Sequence, residues 1–216
     1  KQMHDCGINV PEVYAISDDR TTYLQEDLGN VTLYGYLSSR KTSGVDISQP
    51  MLTLYRQAID LMLLMQRNCG NVDFSCAYPR ERFDRQAIQW DLNYFKYYFL
   101  RLFHIPFDEQ ELENDFSTLT DYLLDGDTDS FMHRDFQSRN IMIADEKLYL
   151  IDFQGARRGA PQYDLASLLY SSKSDVPDGI RQQLLDYYIN QRFGEGADAE
   201  AEKRLFREKF YGYVIV

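Results

Sequence analysis

The chain reads as an α+β protein in which a small strand-rich start, residues 1–29, leads into a mostly helical body, residues 30–216. Three observations point there. Two short runs rich in β-branched and aromatic residues, 13–16 and 22–26, flank the polar turn Ser17-Asp18-Asp19-Arg20 and read as strands. Several later segments place apolar residues three and four positions apart, the spacing of a helix with one buried face. Between those segments, at 131–152, an apolar run, a polar turn and a second apolar run describe a single hairpin set among acidic residues.

Composition narrows the function before any motif does. With 216 residues, 44 % of them hydrophobic, the chain can build one sizeable core or two modest ones. A formal net charge of -11, with Lys and Arg scattered, argues against nucleic-acid or anionic-membrane partners, because both need a cationic face to displace counterions. Cys6, Cys69 and Cys76 are odd in number and lack paired metal-ligand spacing. Together with the lack of a signal-like or long apolar segment, they predict a cytoplasmic protein with unreactive thiols. The chain starts on Lys1 and ends on an apolar tail, Phe210-Tyr211-Gly212-Tyr213-Val214-Ile215-Val216, so a fragment of a longer protein is expected at both ends.

In order, Pro11 precedes the first strand, and the second strand runs into Gln25-Glu26-Asp27-Leu28-Gly29. A short helix is expected over 33–39, then a loose loop, Lys41-Thr42-Ser43-Gly44. Ser48 is a candidate N-cap with Pro50 in the first turn, and Leu52, Tyr55, Ile59, Met62 and Met65 mark the buried face of a core helix to about 68. An aromatic-heavy helix over 80–103 follows, ended by Pro106. Core packing accounts for much of it, but Trp90, Asp91 and Tyr94 fall on positions that can also form a substrate wall, since aromatic faces beside a carboxylate grip sugar rings and cationic heads. Asp108 with Glu111 forms a capping box for a helix over 109–124 with Leu112, Phe116, Leu119 and Leu123 inward. Helices are also expected over 163–171, 179–193 and from about 198 onward, the middle one closed by Gly194 and Gly196.

The stretch that carries chemistry is 131–164. His133-Arg134-Asp135 is followed five positions later by Asn140, then by the strand Ile141-Met142-Ile143, the turn Asp145-Glu146-Lys147 and the strand Leu148-Tyr149-Leu150-Ile151, whose end delivers Asp152. A hairpin of that length brings its entry and exit together, and with them Asp135, Asn140 and Asp152. Transfer of a phosphoryl group from a nucleoside triphosphate asks for such a set: a carboxylate that orients the acceptor hydroxyl, and hard oxygen donors for a divalent ion on the phosphates.

The order H-R-D-x-x-x-x-N followed by D-F resembles the catalytic and metal-binding loops of the protein-kinase-like fold. Only twelve positions separate Asp152 from Asp164, with Gly155, Gly159 and Pro161 between them and no A-P-E triplet, so the platform on which a protein kinase lays its peptide is missing. The run D-F-Q-G-A-R-R-G-A-P-Q-Y-D-L-A-S-L-L resembles instead the aminoglycoside phosphotransferase and choline kinase group. With Arg134 where antibiotic phosphotransferases carry Gly, and with Phe136-Gln137-Ser138-Arg139, the loop looks closest to the bacterial kinases that phosphorylate N-acetylmuramate and N-acetylglucosamine at the anomeric hydroxyl.

That resemblance implies an ATP- and Mg2+-dependent phosphotransferase acting on a hydroxyl of a small molecule. Asp135 would be the catalytic base, Asn140 and Asp152 the metal ligands, and His133, Arg139 and Asp164 supports of the loop. The resemblance also makes the segment 23–29 a hinge, in which the backbone of Glu26 and Leu28 meets adenine; a plain strand end is the other reading. Arg157 and Arg158 are candidates to meet an anionic substrate or the transferred phosphate. The family's Gly-rich phosphate loop and strand Lys have no counterpart in this chain, which predicts weak nucleotide binding by the chain alone and leaves a catalytically silent kinase-like module as an alternative beside a protein kinase.

Overall fold

The computed structural model describes residues 1–172 and 175–216. The chain opens on a single helical turn, α1 (Gln2–Asp5), and an antiparallel ribbon of β1 (Val13–Ile16) and β2 (Tyr23–Gln25). Every residue of the ribbon is exposed, Val13, Tyr14, Ile16, Tyr23 and Leu24 among them. Two strands alone have no second layer on which to bury such side chains.

Helix α2 (Leu33–Thr42) runs three residues past the expected end. Its start is set by Thr32, whose Oγ1 accepts the Gly35 amide at 3.0 Å and so satisfies one of the free donors of the first turn. Helix α3 (Ser48–Asn68) has the expected bounds, but Ser48 is not its cap: Ile47 holds that position, and the Asp46 carboxylate takes the Ser48 amide at 2.9 Å. The stripe foreseen for this helix is the centre of the core, with Tyr55, Ile59, Met62 and Met65 all buried and Leu52 packed at its margin.

Helix α4 (Arg85–Phe95) starts five residues later than expected because Asp84 caps it, accepting the Ala87 amide at 3.1 Å while Arg80 grips the same carboxylate. It continues into a π-helical stretch, Lys96–Arg101. Here the expectation of aromatic core packing needs correction. The buried side of α4 is aliphatic, Ala87, Ile88 and Leu92, whereas Trp90, Tyr94, Phe95, Tyr97, Tyr98, Phe99 and Phe103 are exposed. Lys96, the first residue of the π-helical stretch, is buried and pairs with Glu109 and Glu113. Helix α5 (Glu109–Leu124) begins as its capping box requires, the Asp108 carboxylate accepting the Glu111 amide at 2.9 Å, and buries Phe116 and Leu123.

Two small antiparallel ladders follow. β4 (Ile141–Ala144) and β5 (Lys147–Leu150) form the foreseen hairpin, in register from Ile141 opposite Leu150 to Ala144 opposite Lys147. Asp145 and Glu146 both have positive φ, the backbone of a two-residue turn whose twist matches its strands. β3 (Ser130–Met132) pairs with β6 (Arg157–Gly159), a ladder of three residues a side that carries too little alternation to be read from sequence. Helices α6 (Pro161–Tyr170), α7 (Asp178–Phe193) and α8 (Ala197–Ile215) complete the body, α6 against α8 and α3 against α7. α6 begins two residues earlier than expected, with Pro161 in its first turn, where a missing amide costs nothing.

The β4–β5 hairpin is held from both sides. The Leu150 amide donates to the Asn9 carbonyl at 2.9 Å, and the Asn9 side chain donates to the Leu148 carbonyl at 3.1 Å. On the other strand the Ile143 amide donates to the Val31 carbonyl at 2.8 Å, and Thr32 bridges to Met142. No helix among the described residues is long and apolar enough to cross a membrane.

Candidate active site

Strand β3 ends at Met132, and the next residues form a loop held from beneath by one carboxylate. Asp164, in the first turn of α6, accepts the His133 amide at 2.8 Å and the Arg134 amide at 2.9 Å, one on each oxygen. Burial pushes the Asp164 carboxyl up to about 7, against the two amides, which favour the charged form; nearby Asp135 adds to the rise. Arg134 between them sits in the left-handed region, φ 74°, which a non-glycine residue adopts only where its surroundings hold it there.

The His133 ring is buried, packed against Phe136 and Phe153, and its Nε2 donates to the Ile151 carbonyl at 3.1 Å. Burial lowers the ring to about 4, outweighing the attraction of Asp135 and Asp152, so at neutral pH it is an uncharged brace. It ties the loop to the residue that precedes Asp152.

Asn140 closes a 3-10 turn, Ser138–Asn140. Its Nδ2 donates to the Asp135 carbonyl at 2.9 Å, and its own carbonyl accepts the Ile151 amide at 3.1 Å. The first bond occupies the amide nitrogen and leaves Oδ1 for a ligand; the second puts Asp152 beside it. Asp152 is exposed and left-handed, φ 72° and ψ 51°, at the start of the turn Phe153–Gly155. A Cβ added to Gly155 would lie 3.4 Å from Asp135 Oδ2, which measures how closely this turn passes the Asp135 carboxylate. Asp135, Asn140 and Asp152 therefore share one corner of the molecule. An exposed carboxylate and an oriented amide oxygen are the hard donors that suit Mg2+, with water and phosphate oxygens completing its shell.

Other candidates fall differently. Arg139 is exposed and its side chain stands outside this network. Glu26 gives its amide to the Glu12 carbonyl at 2.8 Å and its carboxylate to the Glu12 amide at 3.1 Å, so its carbonyl is the backbone group open to a ligand; the chain then turns through Asp27, whose carboxylate accepts the Gly29 amide. Trp90 and Tyr94 face solvent, with Tyr94 stacked on Tyr98 at 4.4 Å, but Asp91 does not share their side: it reaches inward to the Arg134 guanidinium at 2.9 Å. Arg157 and Arg158 are not free to meet an anion either. Arg157 is buried and donates to the Gly155 and Tyr78 carbonyls, and Arg158 is held by Asp129 and the Gly70 carbonyl over the Phe74 ring. Cys69 is buried, and burial with neighbouring Cys6 pushes its thiol up to about 12, away from reactivity.

An open cleft of about 200 Å3 borders Asp135, walled by Arg134, Gln137, Tyr163, Ser167 and Tyr170 and closed by the end of α8. Tyr163, Ser167 and Tyr170 share a face of α6, a spacing visible in the sequence but attributable there to the core alone.

Residues 1–202 match the family model described as the phosphotransferase enzyme family. The chain belongs to the phosphotransferase enzyme family. Its curated relatives include the N-acetylmuramate/N-acetylglucosamine kinase of Pseudomonas aeruginosa, 25 % identical over 186 residues that make up 84 % of this chain and 50 % of that protein. The enzyme of the same description from Neisseria meningitidis serogroup B is 28 % identical over 166 residues, 75 % of this chain and 46 % of that protein. The chain thus spans about half the length of the curated relatives it matches. Among solved structures, an ethanolamine kinase of Plasmodium vivax superposes with a TM-score of 0.66 at 13 % identity, covering 99 % of this chain and 61 % of that one. An ADP-bound aminoglycoside phosphotransferase superposes with a TM-score of 0.57 at 16 % identity, covering 98 % and 80 %. The architecture is the α+β, protein-kinase-like one expected from the sequence.

Proposed function

We propose that the protein carrying this chain transfers the terminal phosphate of ATP to a hydroxyl of a small molecule, with an amino sugar as the leading acceptor. The observation that carries this reading is the meeting of two loops: the Asn140 side chain bonds to the Asp135 backbone carbonyl and the Asn140 backbone carbonyl to the Ile151 amide, so one residue ties the loop of the carboxylate suited to a base to the strand end that precedes the carboxylate suited to a metal. The amino-sugar assignment rests on the relatives from Pseudomonas aeruginosa and Neisseria meningitidis and on the loop Phe136-Gln137-Ser138-Arg139.

In this reading the ribbon and hinge, 1–29, supply the adenine edge through the Glu26 carbonyl and the Leu28 amide, and the body, 30–216, supplies the chemistry. Asn140 Oδ1 and the Asp152 carboxylate hold Mg2+, which when bound neutralises charge on the phosphates. Asp135 receives a hydrogen bond from the acceptor hydroxyl and aims its oxygen at phosphorus. As the new O–P bond forms and the bond to the ADP leaving oxygen breaks, the hydroxyl proton passes to Asp135 and then to solvent. His133 and Asp164 hold the loop and take no proton from substrate. The cleft beside Asp135 receives the acceptor, with Trp90 and Tyr94 as a further apolar face. Use of ATP and free thiols at Cys6, Cys69 and Cys76 suit the cytoplasm.

The test is transfer of labelled phosphate from ATP to N-acetylglucosamine, N-acetylmuramate, aminoglycosides and choline by the full-length protein. Labelling of an amino sugar, lost in Asp135→Asn and in Asp152→Asn, is the expected result. Labelling of choline or an aminoglycoside instead would retain the reaction and overturn the acceptor; no Asp135-dependent transfer to any of them would overturn the reaction.

A further inference from the structure

Arg134 departs from the rest of the site in that it is charged, part-buried and next in sequence to the residue assigned as base. Three neighbours act on it. Its amide goes to Asp164 and its Nη2 to Asp91 Oδ1 at 2.9 Å, and Tyr163 lies close enough to raise the guanidinium's proton affinity. Asp91 comes from the inner side of α4, an element with no other tie to the loop among the hydrogen bonds of the described residues, and its second oxygen is buried without a hydrogen-bond partner. Arg157 lies close enough to feel the same charges, buried, with only carbonyl oxygens as hydrogen-bond acceptors. The corner behind the cleft thus holds two cations, Arg134 and Arg157, and three carboxyl groups, Asp91, Asp135 and Asp164.

The geometry points to Asp91 as a positioning residue for phosphate transfer: by engaging Arg134 it keeps that guanidinium off the neighbouring Asp135 carboxylate and holds the left-handed loop residue in place. This rests on the proposed role of Asp135. With Asp91 neutral, the neighbouring carboxylate whose charge the Arg134 guanidinium feels is Asp135. A guanidinium paired with Asp135 would occupy the oxygens that must meet the acceptor hydroxyl and would lower their proton affinity. Burial raises the Asp91 carboxyl above its ordinary value, and the Arg134 guanidinium offsets only part of that rise. Asp91 acts through Arg134, and a loop displaced by an ångström costs rate without costing nucleotide affinity.

The experiment is a cycle in the full-length protein: wild type, Asp91→Asn, Arg134→Ala and the double variant, with Asp91→Glu as the conservative arm and Asp135→Asn as reference. Asp91→Asn should lower kcat on the order of 10- to 100-fold and leave the KM for ATP within about twofold. Asp91→Glu should recover part of the loss, and Asp91→Asn should add little once Arg134 is already Ala. Equal losses from Asp91→Asn in both backgrounds, an effect confined to the acceptor KM, or no loss would overturn the inference. If Asp91→Asn does not fold, as judged by circular dichroism, the Asp91→Glu variant in the two Arg134 backgrounds decides by the same criterion. Failure of the underlying reading looks different, because Asp135→Asn would then retain activity.

Discussion

His133 Nε2 lies 3.1 Å from the Ile151 carbonyl oxygen, and a carbonyl can only accept, so the ring carries its proton on Nε2. Protonating Nδ1 as well would put a charge where no acceptor reaches it, since that nitrogen is buried and without a partner among the described residues. The ring is thus lowered to about 4 from an ordinary 6.5. In the unfolded chain it takes a proton near pH 6.5, while the folded chain refuses one until about pH 4. Its contribution is therefore present above pH 6.5 and lost as pH falls toward 4. Asp164, raised to about 7, acts with the opposite sign between its ordinary 3.8 and that value. A comparison that isolates the ring is the stability difference between wild type and His133→Asn. Urea titrations at pH 7 and pH 4 should show that difference shrinking by about 3 kcal/mol on acidification; a difference independent of pH would contradict a buried, neutral ring.

Removal of the metal should silence the proposed reaction. Chelation with EDTA should abolish phosphate transfer, and Asn140→Ala should raise the Mg2+ concentration needed for half the maximal rate by roughly 100-fold. Loss of the Asn140 side chain also removes its bond to the Asp135 carbonyl, so kcat at saturating Mg2+ should fall as well. A variant that differs from wild type in neither respect would remove Asn140 from the metal site.

Trp90 and Tyr94 are exposed, so replacing them costs little packing. Trp90→Ala and Tyr94→Ala should raise the KM for the acceptor several-fold and leave the KM for ATP and the urea midpoint unchanged. If both variants keep the wild-type acceptor KM, this face of α4 is no part of the acceptor site.

Gly159 pairs with Ser130 in the β3–β6 ladder, and a Cβ added to it would run into the Met132 thioether and come within 3.2 Å of Phe83 Cβ. Gly159→Ala should cost about 1–3 kcal/mol, read as a lower urea midpoint at unchanged slope. An unchanged midpoint would mean that Met132 moves aside freely.

Where a local pattern decides structure, the amino-acid order was enough. The capping box at Asp108 and Glu111, the alternation of Tyr55, Ile59, Met62 and Met65, and the polar turn at Asp145 and Glu146 each specify their element from a few adjacent residues. The spacing of Asp135, Asn140 and Asp152 worked the same way, because a hairpin returns its ends to one place whatever surrounds it. What escaped depends on distant partners. Nothing near Asp91 in the chain says that it turns toward a loop 43 residues on, and nothing near Arg157 says that it will be buried. The outward aromatic face of α4 escaped as well: which side of that helix meets the core is set by the elements packed on Ala87, Ile88 and Leu92, and residue spacing does not name them.

The two-sided grip on the β4–β5 hairpin has a mechanical consequence. Val31 and Thr32 lie just past the proposed hinge at Glu26 and Leu28, and Asn9 just before the ribbon, so the strap proposed to bound the adenine edge is laced directly to the strands that lead to Asp152. In the proposed reading, adenine bound at the strap would be linked to the proposed magnesium corner through these same hydrogen bonds. Occupancy at one end would then alter affinity at the other, and by reciprocity each ligand would recruit its companion by the same factor.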